Sequence, residues 1–301
     1  MAIKKIFIIG SGAMGSGLAQ ASIVSGFDTI LRTRDASPEN VAKNTGKITK
    51  SFARSVEKER MTQEAMDAAL ARFSMTSNLK DASDADLVIE AVSENIEIKR
   101  EIFTQLDAIC KPEAILATNT SSLSITEIAS MTKRPEQVIG MHFFNPVPVM
   151  RLLEIVKGLT TSDETIATAV AFGKSLDKEI IISKDSAAFI VNRMLDPMIN
   201  EAISILEAGV GTVEDIDKGM RFGLNHPMGP LELIDMAGID IELAVMEVLL
   251  RETGDPKYRP SGLLINMVRA GFLGKKTGKG FYIYHEDGTK EPNPQLLSYL
   301  N

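Results

Sequence analysis

As far as Asp185, short apolar runs alternate with longer segments in which apolar residues recur every three or four positions; beyond it only the longer spacing continues. Lys4 to Ile9, Phe27 to Thr33, Asp86 to Val92, Ile115 to Thr118, Val138 to Phe144, Met150 to Val156 and Glu179 to Ser183 read as buried strands. Between them, Glu39 to Arg60, Gln63 to Phe73 and Ile96 to Leu106 have helical spacing, the last through Ile98, Ile102, Phe103 and Leu106. Ser124 with Glu127, and Ser162 with Asp163 and Glu164, have the chemistry of helix N-termini. From Phe189 the predicted elements are helices alone: Ile190 to Ala208, Val213 to Arg221, Leu231 to Glu252 and Gly262 to Ala270. Strand–helix alternation predicts an α/β domain over residues 1–185, with a mostly parallel sheet covered on both faces. Residues 186–301 are expected to form a smaller all-α domain.

The turn after the first strand carries chemistry. Gly10, Gly12 and Gly15 fall at G-x-G-x-x-G spacing and open an alanine-rich helix through Ala13 and Met14, the context in which such glycines bind a dinucleotide pyrophosphate. The sheet is therefore expected to be Rossmann-type and doubly wound. In such units the second strand ends on an acidic residue when the cofactor is NAD. Here it ends Arg32-Thr33-Arg34, a hydroxyl between two guanidinium groups, which suits a 2′-phosphate and points to NADP(H). The alternative leaves both arginines as solvated charges, lets Asp35 reach the ribose, and makes NAD(H) the cofactor.

Composition narrows the class. A formal charge of −7 argues against nucleic acid or an anionic membrane as a partner, so an anionic ligand must rely on local basic groups. A single cysteine, Cys110, excludes an internal disulfide and suits a reducing compartment. No run reaches the ~18 apolar residues of a membrane span. The expected location is the cytoplasm.

There are three histidines. His142 closes the run VIGMHFF, and Glu154 lies in the next run, MRLLEIV; a turn at Asn145-Pro146-Val147-Pro148 brings the two side chains together. A carboxylate on an imidazole fixes its tautomer and stabilises the imidazolium, as a general base requires. His226 and His285 have no such context, and no second histidine stands at metal-ligand spacing.

The segments ATNTSSLSITEIAS (117–130), GMHFFNPVPVMRLLE (140–154), FIVNRM (189–194), NHPMGPLEL (225–233) and RAGFLGKKTGKGFYIY (269–284) resemble the short-chain L-3-hydroxyacyl-CoA dehydrogenases, above all their bacterial 3-hydroxybutyryl-CoA branch. The resemblance implies hydride exchange between a nicotinamide and carbon 3 of a 3-hydroxyacyl thioester, with acetoacetyl-CoA and (S)-3-hydroxybutyryl-CoA as the substrate pair. It implies His142 as catalytic base and acid with Glu154 as its partner, Ser121 on the substrate oxygen and Asn192 on the substrate carbonyl. Glu94, Lys99, Asn119 and Asn145 take cofactor-side positions, and Arg54 and Lys58 the positions that grip CoA phosphates. A homodimer through the helical domain is also implied.

The chain departs from the family pattern twice. Thr33 stands where the family usually has aspartate, and Asp185-Ser186-Ala187-Ala188 stands where it usually has a proline–glycine pair. Alanine adopts positive φ less cheaply than glycine. The sequence-based expectation is a cytoplasmic NADPH-linked 3-hydroxybutyryl-CoA dehydrogenase. Its rivals are an NAD-linked β-oxidation enzyme, a dehydrogenase of small hydroxy acids without CoA, and a non-catalytic dinucleotide-binding structural protein.

Overall fold

The computed structural model describes residues 3–300. They fall into two compact units that part between Ser186 and Ala187. The first holds one sheet of eight strands: β1 (Lys5–Ile9), β2 (Asp28–Arg32), β3 (Phe73–Thr76), β4 (Leu87–Glu90), β5 (Ile115–Thr118), β6 (Val138–Phe143), β7 (Leu152–Lys157) and β8 (Glu179–Lys184). The order across the sheet is β3-β2-β1-β4-β5-β6-β7-β8, and every pair is parallel except β6 with β7. Six helices complete the unit: α1 (Ala13–Val24), α2 (Pro38–Glu57), α3 (Gln63–Leu70), α4 (Ile96–Ile109), α5 (Ile125–Ala129) and α6 (Asp163–Ser175).

β1 explains the two-faced cover. Ile6 and Ile8 pack into a core with Leu18, Leu31 and Phe52, while Phe7 and Ile9 enter another with Val88, Phe103 and Leu116. That is the period of two in a strand buried on both sides. Helix starts follow local chemistry: Ser124 Oγ accepts from Glu127 N, and Ser162 Oγ from Thr165 N. Asp185 adds a long-range cap, accepting from the backbone of Ile125 and Thr126 and from the Ser124 hydroxyl. The strand order reverses between β1 and β4, which opens a crevice at the carboxyl ends of the strands.

One expectation in this unit is corrected. Residues 71–73 do not extend α3; Phe73 begins β3, which pairs parallel to β2 as the sheet edge. A four-residue strand is too short for its periodicity to show against the helix before it.

The second unit is helical: α7 (Val191–Glu207), α8 (Val213–Lys218), α9 (Pro230–Ala237), α10 (Ile239–Thr253), α11 (Gly262–Arg269) and α12 (Pro294–Leu300). Ile199, Ile203, Leu231, Leu264 and Phe281 form its core. The expected single helix from Leu231 to Glu252 is two, because Gly238 at φ +119° takes a conformation side chains rarely adopt. The unit also carries a hairpin that the all-α expectation omits, β9 (Tyr282–Tyr284) with β10 (Lys290–Pro292), turning at Asp287-Gly288. Asp235 pins it by accepting from the backbone of Phe281 and Tyr282 and from the Tyr284 hydroxyl. Before α7, Ala188 and Phe189 both take positive φ, at 58° and 53°. Both are buried, and burial holds each in a conformation that costs an L-residue about 1–2 kcal/mol. Among the described residues no helix is long and apolar enough to cross a membrane.

Candidate active site

Five strands deliver the candidate residues to one edge. Gly10 follows β1, Thr33 follows β2, Glu94 lies beyond β4, Asn119 and Ser121 follow β5, and His142 is the penultimate residue of β6. The edge opens on a cleft of about 720 Å³ whose walls include Gly10, Ser11, Gly12, Arg34, Ala91 and Gln105.

The glycines have separate tasks. Gly10 sits at φ +109°, and a Cβ there would lie 2.4 Å from the Ala91 carbonyl oxygen across the β1/β4 switch. A Cβ on Gly15 would lie 1.7 Å from the Gly10 oxygen, so this position locks helix to turn. Gly12 meets nothing within 4 Å; its bareness leaves room outside the protein rather than inside it. Gly12 also begins α1 without a side-chain cap, and the first turn carries no acidic residue, which leaves backbone donors facing the cleft. Ala13 and Met14 form that first turn. This cradle fits a dinucleotide pyrophosphate.

At the end of β2, Arg32, Thr33 and Arg34 all line the cleft, as do Asp35 and Asn40. Arg32 is partly committed elsewhere, its Nε donating to the Ser77 carbonyl at 3.3 Å. Thr33 is buried, and its hydroxyl oxygen lies 3.0 Å from Ser11 Oγ and 3.3 Å from Asn40 Nδ2.

His142 and Glu154 are directly opposite on antiparallel β6 and β7. Their side chains meet at 3.1 Å, Nδ1 to Oε2, with the histidine 5 % exposed and the glutamate fully enclosed. A carboxylate oxygen accepts, which seats the imidazole proton on Nδ1. Phe144 packs on the imidazole, ring centroids 4.5 Å apart. Asn119 ties β5 to this corner, its Oδ1 accepting from Phe143 N at 2.9 Å.

Ser121 is held by Glu94: its backbone N donates to Glu94 Oε1 at 2.6 Å and its hydroxyl to the same oxygen at 3.1 Å, while Thr120 Oγ1 donates to both carboxylate oxygens. Lys99 lies behind Glu94, 3.5 Å from Oε2, and bonds Glu90 at 2.7 and 2.8 Å. Its side chain is wholly enclosed, so the ammonium, expected on the cofactor side, acts on that side through Glu94. Sequence reasoning passed over Glu90, although a charge inside the apolar run DLVIEAV was the signal for a buried ion pair. Ser11 and Asn40 were also missed, because nothing local distinguishes them from cap and turn residues.

Asn145 is exposed in the β6–β7 connection, before the cis peptide bond to Pro146. Arg54 stands exposed in the last turn of α2, and Lys58 is the residue that ends that helix rather than part of it. Asn192, half-buried, is in the first turn of α7 in the helical unit.

Residues 5–186 match the family model described as 3-hydroxyacyl-CoA dehydrogenase, NAD binding domain, and residues 189–284 the model described as 3-hydroxyacyl-CoA dehydrogenase, C-terminal domain. The chain is 48 % identical over 286 residues to a probable 3-hydroxybutyryl-CoA dehydrogenase of Bacillus subtilis, covering 95 % of this chain and 99 % of that protein. It is 49 % identical over 282 residues to a 3-hydroxybutyryl-CoA dehydrogenase of Bradyrhizobium diazoefficiens, covering 94 % and 96 %. The crystal structure of (S)-3-hydroxybutyryl-CoA dehydrogenase from Ralstonia eutropha superimposes with a TM-score of 0.91 at 47 % identity, covering 95 % of this chain and 100 % of that one.

Proposed function

The chain belongs to the 3-hydroxyacyl-CoA dehydrogenase family, and from that premise we propose that it interconverts (S)-3-hydroxybutyryl-CoA and acetoacetyl-CoA with NADP(H), chiefly in the direction of reduction and in the cytoplasm. The observation that carries the chemistry is the buried His142–Glu154 pair at the sheet edge on which the glycine cleft opens. When bound, the nicotinamide supplies hydride exchange with carbon 3 of the thioester. In oxidation His142 Nε2 takes the 3-hydroxyl proton, and in reduction it returns that proton to the 3-oxygen. Glu154 offsets the charge the imidazole acquires, deep enough in the protein for the attraction to be weakly screened. Ser121 contacts the substrate oxygen, its hydroxyl turning from Glu94 to donate there, and Asn192, carried by the helical unit, donates to the substrate carbonyl. Glu94, Asn119 and Asn145 line the cofactor side, with Lys99 supporting Glu94, and Arg54 and Lys58 meet the CoA phosphates.

NADP(H) is favoured by Thr33 in place of a carboxylate, with Arg34 beside it in the cleft wall. The second reading, NAD(H) in a β-oxidation enzyme, draws on Asp35 in the same wall and on the name of the first family model. A homodimer through the helical unit is supported by large apolar side chains that unit leaves exposed, Val210 at 77 %, Phe222 at 79 % and Leu224 at 64 %.

Initial rates of acetoacetyl-CoA reduction with NADPH and with NADH test the proposal. NADPH is expected to be preferred, and C4 thioesters over longer ones. His142→Ala is expected to lower turnover by about 10²–10⁴ and Glu154→Gln to lower it severely, with cofactor affinity nearly unchanged. Unaltered turnover in both variants refutes the mechanism. No turnover in the wild type, despite tight dinucleotide binding, returns the protein to a non-catalytic role.

A further inference from the structure

The NADP(H) reading rests on what stands at the end of β2, and the hydrogen-bond inventory there goes further. Asn40, in the first turn of α2, has its amide orientation settled by its partners. Nδ2 donates to the Asp35 carbonyl, which can only accept, and Oδ1 accepts from Asn44 Nδ2 at 3.1 Å. Nδ2 therefore has one proton left, and it goes to Thr33 Oγ1 at 3.3 Å. Thr33 Oγ1 also shares a hydrogen bond with Ser11 Oγ at 3.0 Å. Two hydroxyls own two protons, and the bond between them uses one. The bond runs from Ser11 to Thr33, so Thr33 accepts from both neighbours and keeps its own proton for an acceptor outside the pair. Ser11, Thr33 and Asn40 all line the cleft, so the proton is available to a ligand there.

The backbone holds this arrangement in place: Thr33 N donates to the Thr76 carbonyl at 2.9 Å and Gly10 N to the Arg32 carbonyl at 3.0 Å. Asp35, beyond the end of the same strand, is drawn into a turn, its Oδ1 accepting from Ser37 N at 2.8 Å and its carbonyl held by Asn40. A carboxylate at the end of the second strand selects a ribose 2′-hydroxyl because that hydroxyl can donate to it. Around Thr33 the wall offers one hydroxyl proton and the Arg34 guanidinium, and these donors are matched by a group that only accepts.

We propose that Ser11, Thr33 and Asn40 form a hydroxyl–amide relay that presents one proton to the adenosine 2′-substituent, so that Ser11 and Asn40 are positioning residues for 2′-phosphate selectivity. The inference rests on the NADP(H) reading above and deepens it. Asn40→Asp removes the donor that keeps Thr33 turned toward the ligand and adds a negative charge beside the phosphate. Thr33→Val removes the ligand-facing proton with little change of shape.

The test is the binding of two fragments that lack the nicotinamide, 2′,5′-ADP and 5′-AMP, to the full chain by titration calorimetry, with the thermal midpoint of each ligand-free variant as a folding control. The wild type is expected to prefer 2′,5′-ADP. Thr33→Val and Asn40→Asp should each cost about tenfold or more in 2′,5′-ADP affinity, the size of a lost hydrogen bond to a charged acceptor, with 5′-AMP affinity unchanged. Ser11→Ala, the mildest change, should cost a few-fold on the same ligand alone. A merely structural role would lower both affinities together and overturns the relay. A wild type that prefers 2′,5′-ADP, with variants that keep the preference, also overturns it while NADP(H) stands. A wild type without the preference overturns the NADP(H) reading and the relay with it.

Discussion

Glu242→Gln is expected to stabilise the protein at neutral pH and to do almost nothing in mild acid. Glu242 on α10 and Asp196 on α7 are 2 % and 5 % exposed, their helices pack together, and each keeps a buried oxygen, Oε1 and Oδ2, with no hydrogen-bond partner. Burial pushes the Glu242 carboxyl up to about 9, with the Asp196 charge adding to the effect, and burial pushes Asp196 up to about 7. The folded state thus holds protons that the unfolded chain releases, so stability falls as pH rises above the ordinary glutamate value of 4.5 and keeps falling until the folded value is reached. At pH 7 the Glu242 cost is set by the distance from 4.5 to 7, at about 1.4 kcal/mol per unit, or about 3 kcal/mol. That figure is insensitive to the folded value so long as the latter exceeds 7. The glutamine amide has nearly the same shape and does not titrate. Urea unfolding of both proteins, followed by far-ultraviolet circular dichroism at about pH 5 and about pH 7.5 at equal concentration, measures the difference. Asp217 and Asp235, also raised by burial, contribute to both proteins and cancel. A gain equal at the two pH values, or a loss at neutral pH, refutes the account of Glu242 as a carboxyl kept protonated by burial.

The glycine turn separates fold from binding: Gly15→Ala, with its Cβ against the Gly10 oxygen, should cost about 3 kcal/mol or more and abolish dinucleotide binding, whereas Gly12→Ala should keep its thermal midpoint and weaken binding alone. Lys99→Met leaves Glu90 buried without its cation and is expected to cost about 3–5 kcal/mol in denaturant unfolding; the double variant Glu90→Gln/Lys99→Met should recover most of it. Phe222→Asp should shift sedimentation toward the monomer while the far-ultraviolet spectrum stays unchanged; an unaltered dimer moves the interface off this residue.

Much of the sheet was legible because its strands are buried on both faces, where continuous apolar runs such as KIFII and VIGMHF need no partner to identify them. What escaped were elements defined by their neighbours. β3 exists because β2 offers it an edge, and β9 and β10 because each pairs with the other against Asp235. The split between α9 and α10 hangs on one dihedral at Gly238, in a stretch whose apolar spacing continues on either side of it.

The contact between His142 and Glu154 was legible for a stricter reason. Two strands joined by a short turn bring residues near their ends opposite one another, and an acid and an imidazole at such positions in otherwise apolar runs leave few other partners. The positions around Thr33 show the opposite case. That threonine replaces a carboxylate can be read from the chain; whether its hydroxyl donates or accepts depends on Asn40, seven residues on, and Ser11, twenty-two residues back. Ala188 follows the same logic. The absence of glycine was visible and set a cost on positive φ, yet the backbone takes φ 58°, because Ala188 is packed with Met246, Leu249 and Tyr258. A local preference of about 1–2 kcal/mol decides a conformation only where distant packing does not exceed it. At both sites the residue type states the local cost, and side chains far away in sequence determine which state is occupied.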